Sequence, residues 1–239
     1  MIIPAAGLGT RMAPGGKKHV ASKQFVEING IPVIIHTLRV FAGNAQVSHI
    51  VVALRKNDIE WFKDRLGKEK LSDKVDVVEG GEHRQESVAH ALASLQAKED
   101  DIVLIHDAVR PFINDEIIDN VIREVQKRGA AIAGLPAVDT IKQVDRTSES
   151  AIITSTIPRE RVVQAQTPQG FRYGLLKKAF DSALADGFIG TDEASLIERM
   201  GEDVYVVMGS ARNIKITTPA DLELAEFLFN QKKFTTDFH

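Results

Sequence analysis

Short apolar strands alternate with amphipathic helices along most of this sequence, and this alternation constrains the fold more than any other feature. Residues 49–54 and 102–105 are almost wholly apolar, as expected of parallel strands that are buried on both faces of a sheet. Segments such as 31–43 place apolar residues at three- and four-residue spacing, which is typical of amphipathic helices. The pattern predicts a Rossmann-like α/β fold, a mainly parallel sheet flanked by helices.

The strands predicted in this way are 2–3, 49–54, 75–78, 102–105, 130–135, 204–207 and 213–217. The predicted helices are 31–43, 57–66 (ending at Gly67), 84–97, 114–128 (ending at Gly129), 174–186, 191–200 (with Thr191 as N-cap) and 219–231.

One segment departs from the alternation. Residues 138–144 and 151–157 alternate polar and apolar side chains around a polar turn at 145–150, which predicts a β-hairpin. Because no linker or repeat interrupts the rest, we expect one domain over 1–239, with a hairpin arm projecting at about 138–158.

Charge and composition exclude several classes of function. The 239 residues carry 30 Lys and Arg against 33 Asp and Glu, a net charge of −3, which argues against a nucleic-acid-binding protein. There are no cysteines, so disulfides, thiolate zinc sites and cysteine nucleophiles are excluded. No apolar run approaches the roughly 18 residues of a membrane span, and the N-terminus lacks the features of a targeting peptide. We expect a cytoplasmic protein.

Ligands of open α/β sheets bind at the carboxyl ends of the strands, so the residues that follow each strand are the candidates. After the first strand come Ala5, Ala6, Gly7 and Gly9, whose small size lets backbone amides approach a phosphate. An ordinary tight turn is the alternative. Met12 stands where the dinucleotide fingerprint needs a small residue, and residues 16–18 lack the P-loop hydroxyl. Arg11 and Lys23 could hold a polyphosphate from one side.

A second turn, residues 80–87, follows the strand at 75–78. Gly81 and Glu82 lie in it, and Arg84 and Ser87 fall one helical turn apart, where they could meet a base or ribose. A helix N-terminus with capping residues explains the same pattern. The choice stays open on the sequence.

The strand at 102–105 leads into His106 and Asp107. An aspartate at the mouth of a buried strand needs a partner, and Mg²⁺ is a natural one because it binds carboxylate and phosphate oxygens together. Arg110 could bind an anion or pair with Asp107, and His106 could simply form a hydrogen bond within the fold.

Further polar residues lie on the hairpin and near the C-terminus: Thr140, Lys142, Arg159 and Lys215. Together with the glycine turns and Asp107, they form a set of groups that suits phosphoryl or nucleotidyl transfer, in which the protein mainly positions and neutralises charge.

The motifs resemble, in order and over nearly the whole chain, those of the 2-C-methyl-D-erythritol 4-phosphate cytidylyltransferase family. The matching residues are Ala5-Ala6-Gly7-x-Gly9-x-Arg11-Met12, Lys23-Gln24, Gly80-Gly81-x-x-Arg84-x-x-Ser87, His106-Asp107-Ala108-x-Arg110-Pro111, Asp139-Thr140-x-Lys142, Thr167-Pro168-Gln169, Thr191-Asp192-Glu193-Ala194-Ser195 and Asn213-Ile214-Lys215. The glycine motif is shared with many nucleotidyltransferases, whereas the blocks at 106–111 and 213–215 are more specific.

The resemblance implies an enzyme that transfers CMP from CTP to 2-C-methyl-D-erythritol 4-phosphate, with Mg²⁺ or another divalent cation, in non-mevalonate isoprenoid biosynthesis. It implies that Arg11 and Lys23 stabilise charge at the α-phosphate and that Arg159 and Lys215 position the acceptor phosphate. Asp107 would lie at the metal and the substrate.

Other positions follow from the same resemblance. It places the nucleotide at Ala5, Ala6, Gly7, Gly9, Gly81, Glu82, Arg84 and Ser87, with Glu82 where the family often has Asp. It adds Arg110 and Thr140 to the acceptor site. Thr140 and Arg159 lie on an arm that reaches the partner subunit of a homodimer in the family.

Three rival functions remain. A ribitol 5-phosphate cytidylyltransferase would share the fold and the CTP site, and residues 213–217 do not separate the two acceptors. A uridylyl- or guanylyltransferase would share only the glycine motif. A nucleotide-binding protein without activity could use the same fold, although it would have no need for the whole set of cations.

Overall fold

The computed structural model describes residues 1–7 and 22–236, with side chains as far as residue 231. Within these residues the strands are β1 Ile2–Pro4, β2 Glu27–Ile28, β3 Ile31–Pro32, β4 Ile50–Leu54, β5 Val75–Glu79, β6 Ile102–Ile105, β7 Ala130–Pro136, β8 Ile141–Arg146, β9 Ala151–Ile157, β10 Val163–Arg172 and β11 Tyr205–Met208. The α-helices are α1 Val33–Gly43, α2 Lys56–Lys68, α3 Arg84–Ser94, α4 Asp115–Arg128, α5 Tyr173–Ala185, α6 Glu193–Arg199 and α7 Pro219–Thr236.

Seven strands form the central sheet, in the order β11-β7-β10-β6-β1-β4-β5. β10 runs antiparallel to both of its neighbours, and the other pairs are parallel. The prediction of a mainly parallel α/β sheet is therefore confirmed. The carboxyl ends of β1, β4, β5, β6, β7 and β11 all lie at one edge of the sheet, which from here on is called the carboxyl edge.

The apolar strands are explained by burial on both faces. Successive side chains of a strand point to opposite faces, so Ile3 and Val52 pack against one layer of helices while Ile2 and Val51 pack against the other. The first layer includes α1, α2 and α4, and the second includes α3, α5 and α6. A strand between two apolar layers must be apolar at every position.

Helix α4 shows how local sequence sets the boundaries of an element. The side chain of Asn114 caps its first turn by accepting a hydrogen bond from the amide of Ile117 at 3.1 Å. Gly129 ends the helix with a φ of 91°, a conformation that glycine adopts without strain. The predicted end of this helix is confirmed.

The predicted hairpin is also present. β8 and β9 pair in antiparallel fashion from Ile141 opposite Ile157 to Arg146 opposite Ala151. The hairpin leaves Ile152 and Ile153 about 60% exposed, at 59% and 61%. As consecutive residues of a strand they point to opposite faces, so each face of the hairpin presents one large apolar side chain that is suited to contact with another protein.

Several boundaries differ from the prediction. α2 continues through Gly67 to Lys68, since a glycine inside a helix need not end it. α3 ends at Ser94 rather than 97, and α7 continues to Thr236. Residues 213–217 are not a strand, because the backbone there forms irregular contacts such as Ile216 N–H to the carbonyl of Val109 at 2.9 Å.

Two features were not predicted at all. β2 and β3 form a short ribbon, and β10 crosses the sheet between β6 and β7. The sequence of β10 contains Pro168 and Gly170, and its pairing with β7 is irregular between Ala165 and Gln169. Because proline and glycine argue against a strand, the sequence of β10 does not predict one.

Candidate active site

The loops that follow the strands meet at the carboxyl edge. β1 leads into residues 5–7, β5 into 80–83 and β6 into 106–110. β10 brings Gln166 and Thr167 to the same edge, and the segment after β11 adds Asn213 and Lys215. Most of the described residues that the sequence predicts for the site therefore lie together at the carboxyl edge.

The turn after β1 is anchored on both sides. Ala5 and Ala6 are buried, and the amide of Ala5 donates to the carbonyl of Ala53 on β4 at 2.8 Å. The side chain of Gln24 donates to the carbonyl of Ala5 at 2.6 Å. Lys23, which precedes Gln24 at the start of a short 3₁₀ helix, is therefore held beside the end of β1. Gly9 and Arg11 lie outside the described residues.

The turn after β5 lies against the turn after β1. A Cβ on Gly80 would lie 2.7 Å from the Cβ of Ala6 and 2.9 Å from the hydroxyl of Ser87. The Ser87 hydroxyl accepts from the amide of Gly81 at 3.1 Å and donates to the carbonyl of His83 at the same distance. Ser87 is buried, so it shapes this turn from within.

Helix capping explains the rest of this turn. The Glu86 carboxylate accepts from the amides of Glu82 at 2.8 Å and His83 at 3.2 Å, in the manner of a capping box. The side chain of Glu82 is exposed. The helix N-terminus with capping residues, which was the alternative to a nucleotide site at this turn, is thus present. The turn also offers small residues and backbone amides at the carboxyl edge.

Asp107 is the centre of a cluster of charges. Its Oδ2 lies 2.9 Å from Lys215 Nζ and 3.2 Å from Arg110 Nε, and its Oδ1 lies 3.6 Å from Arg84 Nε. The residue is only 8% exposed. Burial alone would raise its pKa, but the three cations together hold that pKa well below the usual range. Asp107 is therefore ionised, and its partners are cations of the protein itself.

A second carboxylate completes the cluster. Glu193, at the first position of α6, is 1% exposed, and its two oxygens lie 2.6 and 2.8 Å from Arg84 Nη1. Burial raises the pKa of Glu193, and Arg84 opposes that rise. Three cations face these two carboxylates, and Asp192, the neighbour of Glu193, also acts on Arg84. The cluster therefore combines several cations at an exposed edge, where they can also meet an anionic ligand.

Backbone and side-chain hydrogen bonds fix the Asp107 turn. Burial lowers the pKa of His106 to about 4, so its ring is neutral. Its Nε2 lies 3.1 Å from the carbonyl of Arg110, which can only accept, so Nε2 carries the proton. Nδ1 then accepts from the Thr167 hydroxyl at 3.0 Å, and that hydroxyl accepts from the amide of Asp107 at 3.1 Å. Each donor in this series of three hydrogen bonds therefore has an acceptor.

Asn213 ties the segment that carries Lys215 to the same turn. Its side-chain amide donates to the carbonyl of Thr167 at 2.9 Å, and its own carbonyl accepts from Arg110 Nη1 at 2.7 Å. Arg110 thus bridges Asp107 and Asn213. Of the two roles raised for Arg110 on the sequence, the pairing with Asp107 is observed, and binding of an anion stays a prediction.

Thr140 and Arg159 lie apart from this cluster. Both are exposed at the base of the hairpin, and Arg159 Nη1 donates to the carbonyl of Val138 at 3.0 Å. Among the described residues, no hydrogen bond or ion pair joins either of them to Asp107 or Lys215. Their assignment to the acceptor site, across the interface of a homodimer, stays a prediction.

Residues 192 and 193 contribute to the site in ways that the sequence does not predict. Asp192, not Thr191, caps α6, since its carboxylate accepts from the amide of Ser195 at 3.0 Å. The sequence predicts Glu193 only as part of a helix start, and its contact with Arg84 joins residues that are far apart in the chain. A charged residue directly after a cap gives no signal of burial, so only the fold reveals it.

The donor set limits what metal the site could hold. Within the described ranges, no group of three or more His, Asp, Glu or Cys side chains is arranged to bind an ion. Asp107 would be a single carboxylate ligand, and its oxygens already face cations. These residues fit a cation that arrives with phosphate oxygens of its own, and they do not form a protein cage.

A Rossmann-like sheet with glycine turns and cations at its carboxyl edge defines a nucleotide-binding α/β protein. The family model of IspD, 2-C-methyl-D-erythritol 4-phosphate cytidylyltransferase, matches residues 1–231. The chain belongs to this family of nucleotidyltransferase enzymes.

Curated relatives carry the same name. The protein of Acidobacterium capsulatum is 58% identical over 97% of both chains, and that of Solibacter usitatus is 49% identical over 97% of this chain and 96% of the relative. Both are named 2-C-methyl-D-erythritol 4-phosphate cytidylyltransferase.

Solved structures agree. The 4-diphosphocytidyl-2C-methyl-D-erythritol synthase of Anaerococcus prevotii superposes with a TM-score of 0.81 at 32% identity, covering 96% of this chain and 94% of that one. The 2-C-methyl-D-erythritol 4-phosphate cytidylyltransferase of Thermus thermophilus gives a TM-score of 0.75 at 31% identity, covering 96% and 98%. No helix in the described part of the chain has the length and apolar character needed to cross a membrane.

Proposed function

We propose that this chain transfers CMP from CTP to 2-C-methyl-D-erythritol 4-phosphate and releases pyrophosphate. The observation that carries the proposal is the family match over 1–231, which includes every motif that builds the carboxyl edge. The three cations around Asp107 agree with this function, since both substrates are phosphates.

The chemistry requires positioning more than proton transfer. A phosphate oxygen of the acceptor forms a bond to the α-phosphorus of CTP, and the bond from that phosphorus to the bridging oxygen of pyrophosphate breaks. The acceptor phosphate is largely a dianion near pH 7, so the nucleophile needs no general base. The barrier comes mainly from repulsion between two anions, which fixed cations reduce.

Roles for single residues follow from their places at the edge. We assign Lys23, beside the end of β1, to the α-phosphate together with Arg11, which lies outside the described residues. We assign Lys215, 36% exposed beside Asp107, to the acceptor phosphate. Ala5, Gly7, Gly81 and the turns around them supply amides and space for the nucleotide.

Mg²⁺ is part of the proposal. Asp107 would hold it as one carboxylate ligand, and phosphate oxygens of CTP would supply most of the others. When bound, the ion neutralises phosphate charge and polarises the bond to the leaving group. The work of Asp107 itself is to orient Lys215 and Arg110, which are fixed by the contacts described above.

We further propose a homodimer formed through the hairpin arm. Arg159 and Thr140 do not reach the Asp107 cluster of their own chain, whereas a projecting arm with two exposed isoleucines can reach a second copy. Arg159 of one subunit would then serve the acceptor phosphate held by the other subunit. The exposed Ile152 and Ile153 would be covered in that assembly.

The proposal is tested by measuring pyrophosphate release from CTP with each of two acceptors. We expect rapid release with 2-C-methyl-D-erythritol 4-phosphate and much slower release with ribitol 5-phosphate. The Lys23→Ala variant serves as the inactive control. Faster release with ribitol 5-phosphate would show that ribitol 5-phosphate is the acceptor. Binding of CTP without release of pyrophosphate would show that the protein binds nucleotide but is not an enzyme.

A further inference from the structure

Glu193 is a buried carboxylate to which the proposed reaction gives no role. It is 1% exposed, lies 109 residues along the chain from Arg84, and directs both of its oxygens at Arg84 Nη1. Burying a charge in this way is costly, and a buried ion pair adds little to stability compared with apolar residues of similar size. A gain in stability is therefore a poor explanation for this pair.

The first turn of α6, which carries Glu193, is held at several points. Gln169 of β10 donates to the Asp192 carboxylate at 2.8 Å and accepts from the amide of Ala194 at 3.1 Å. Gln85, the neighbour of Arg84, accepts from the amide of Gly190 at 2.8 Å. These bonds fix α6 against both β10 and the start of α3, so the Glu193 carboxylate has one position relative to Arg84.

Different nitrogens of the Arg84 guanidinium face different carboxylates. Nη1 faces Glu193 and Nε faces Asp107, while none of the described residues accepts a hydrogen bond from Nη2. The side chain is 31% exposed at the carboxyl edge. As far as residues 1–7 and 22–231 are concerned, Nη2 is thus the nitrogen left to donate to a ligand, and its direction is fixed because a guanidinium is planar.

Glu193 also sets the balance of charge at Asp107. Without it, Asp107 would be the one carboxylate in direct contact with Arg84, Arg110 and Lys215 among the described residues. Arg84 would then turn from 3.6 Å toward a closer contact with Asp107 and compete there with Lys215. By holding Nη1, Glu193 keeps Arg84 at the nucleotide side of the cluster.

We propose that Glu193 is a positioning residue for CTP, which acts by fixing Arg84 so that Nη2 meets a phosphate or ribose oxygen of the nucleotide. The inference rests on the proposed function, because it takes CTP as the ligand at this edge. It assigns no contact between Glu193 and the substrate. Its whole effect passes through Arg84.

The first test is Glu193→Gln, which keeps the size of the side chain and removes its charge. We expect KM for CTP to rise about tenfold, by analogy with the losses seen when the partners that orient metal ligands are removed, with KM for the acceptor within twofold of wild type. Glu198→Gln, an exposed change on the same helix, is the matched control and should leave both constants unchanged. If charge balance alone mattered, the added positive charge would lower KM for CTP, and that result would overturn the proposal.

A double-mutant cycle separates positioning from a structural role. In an Arg84→Gln background, Glu193→Gln should have no further effect on KM for CTP. A persisting tenfold effect would show that Glu193 acts by another route and would refute the inference. The double variant buries two neutral amides, so no unpaired charge remains to unfold it.

Arg84→Lys provides a test that does not depend on removing the carboxylate. A lysine ammonium keeps a charge for Glu193 but has no planar fork to serve the nucleotide as well. We expect a melting temperature near that of wild type together with a raised KM for CTP. A wild-type KM in Arg84→Lys would contradict the proposal, whereas absence of turnover by the wild-type protein would count against the proposed function alone.

Discussion

The buried histidine of the Asp107 turn makes stability depend on pH in a way that can be calculated. An unfolded histidine binds a proton below about pH 6.5, whereas burial keeps His106 neutral in the folded state down to about pH 4. Between these values the unfolded state binds more protons, so stability is full above pH 6.5 and falls as the pH is lowered toward 4.

The magnitude follows from the difference between the two pKa values. At 1.36 kcal/mol per pH unit, His106 should remove roughly 2–3 kcal/mol of stability between pH 7 and pH 4.5. A change of this size is a large part of the 5–15 kcal/mol that is typical of a folded protein. Other buried groups, such as the amino group of Met1, add to the slope of the wild type but are the same in a variant of residue 106.

The assay is urea unfolding of wild type and His106→Gln at the two pH values. The glutamine amide can replace Nε2 as the donor to the carbonyl of Arg110, which helps the variant to fold at pH 7. We expect the loss of stability on acidification to be smaller by roughly 2–3 kcal/mol in the variant. His90→Gln, at an exposed position of α3, should show the wild-type loss. An equal loss in wild type and His106→Gln would refute the argument.

Four further predictions concern the site. Lys23→Ala should lower kcat far more than it raises KM for CTP, and a kcat near wild type would remove its transition-state role. Arg159→Ala should raise KM for the acceptor, and its mixture with Lys23→Ala should recover about one quarter of wild-type activity if each site uses an arm of the partner; no recovery would place the arm in its own subunit. Gly80→Ala should cost about 1–3 kcal/mol of stability, because its Cβ would meet Ala6; unchanged urea unfolding would show that the turns can move apart. Removal of divalent cations should abolish pyrophosphate release without lowering the melting temperature of the ligand-free protein, and a lowered melting temperature would indicate a resident ion.

Local patterns were sufficient for much of the fold. The boundaries of α4 depend on Asn114 and Gly129, which lie in the same stretch of chain as the helix that they cap. The buried strands are recognisable in the sequence as continuous apolar runs, because both faces of the sheet are covered by helices. The hairpin at 138–158 is predictable from a local pattern too, since its alternating strands and its turn are contiguous in the sequence.

What escaped prediction depends on contacts between distant segments. β10 carries a proline and a glycine within a polar sequence, and it becomes a strand through pairing with β6 and β7. Residues 213–217 have β-branched character but are held by Arg110 and Val109 instead of by a neighbouring strand. The partner of Arg84 lies more than 100 residues away, and no spacing rule leads to it.

The central claim is that cations gathered around Asp107 hold two phosphates close enough to react. The most direct test is steady-state kinetics of Lys215→Ala, with Lys63→Ala, an exposed lysine of α2, as the control. We expect KM for 2-C-methyl-D-erythritol 4-phosphate to rise at least about tenfold in Lys215→Ala while KM for CTP stays near wild type. Unchanged constants for both substrates in a folded Lys215→Ala protein would contradict it.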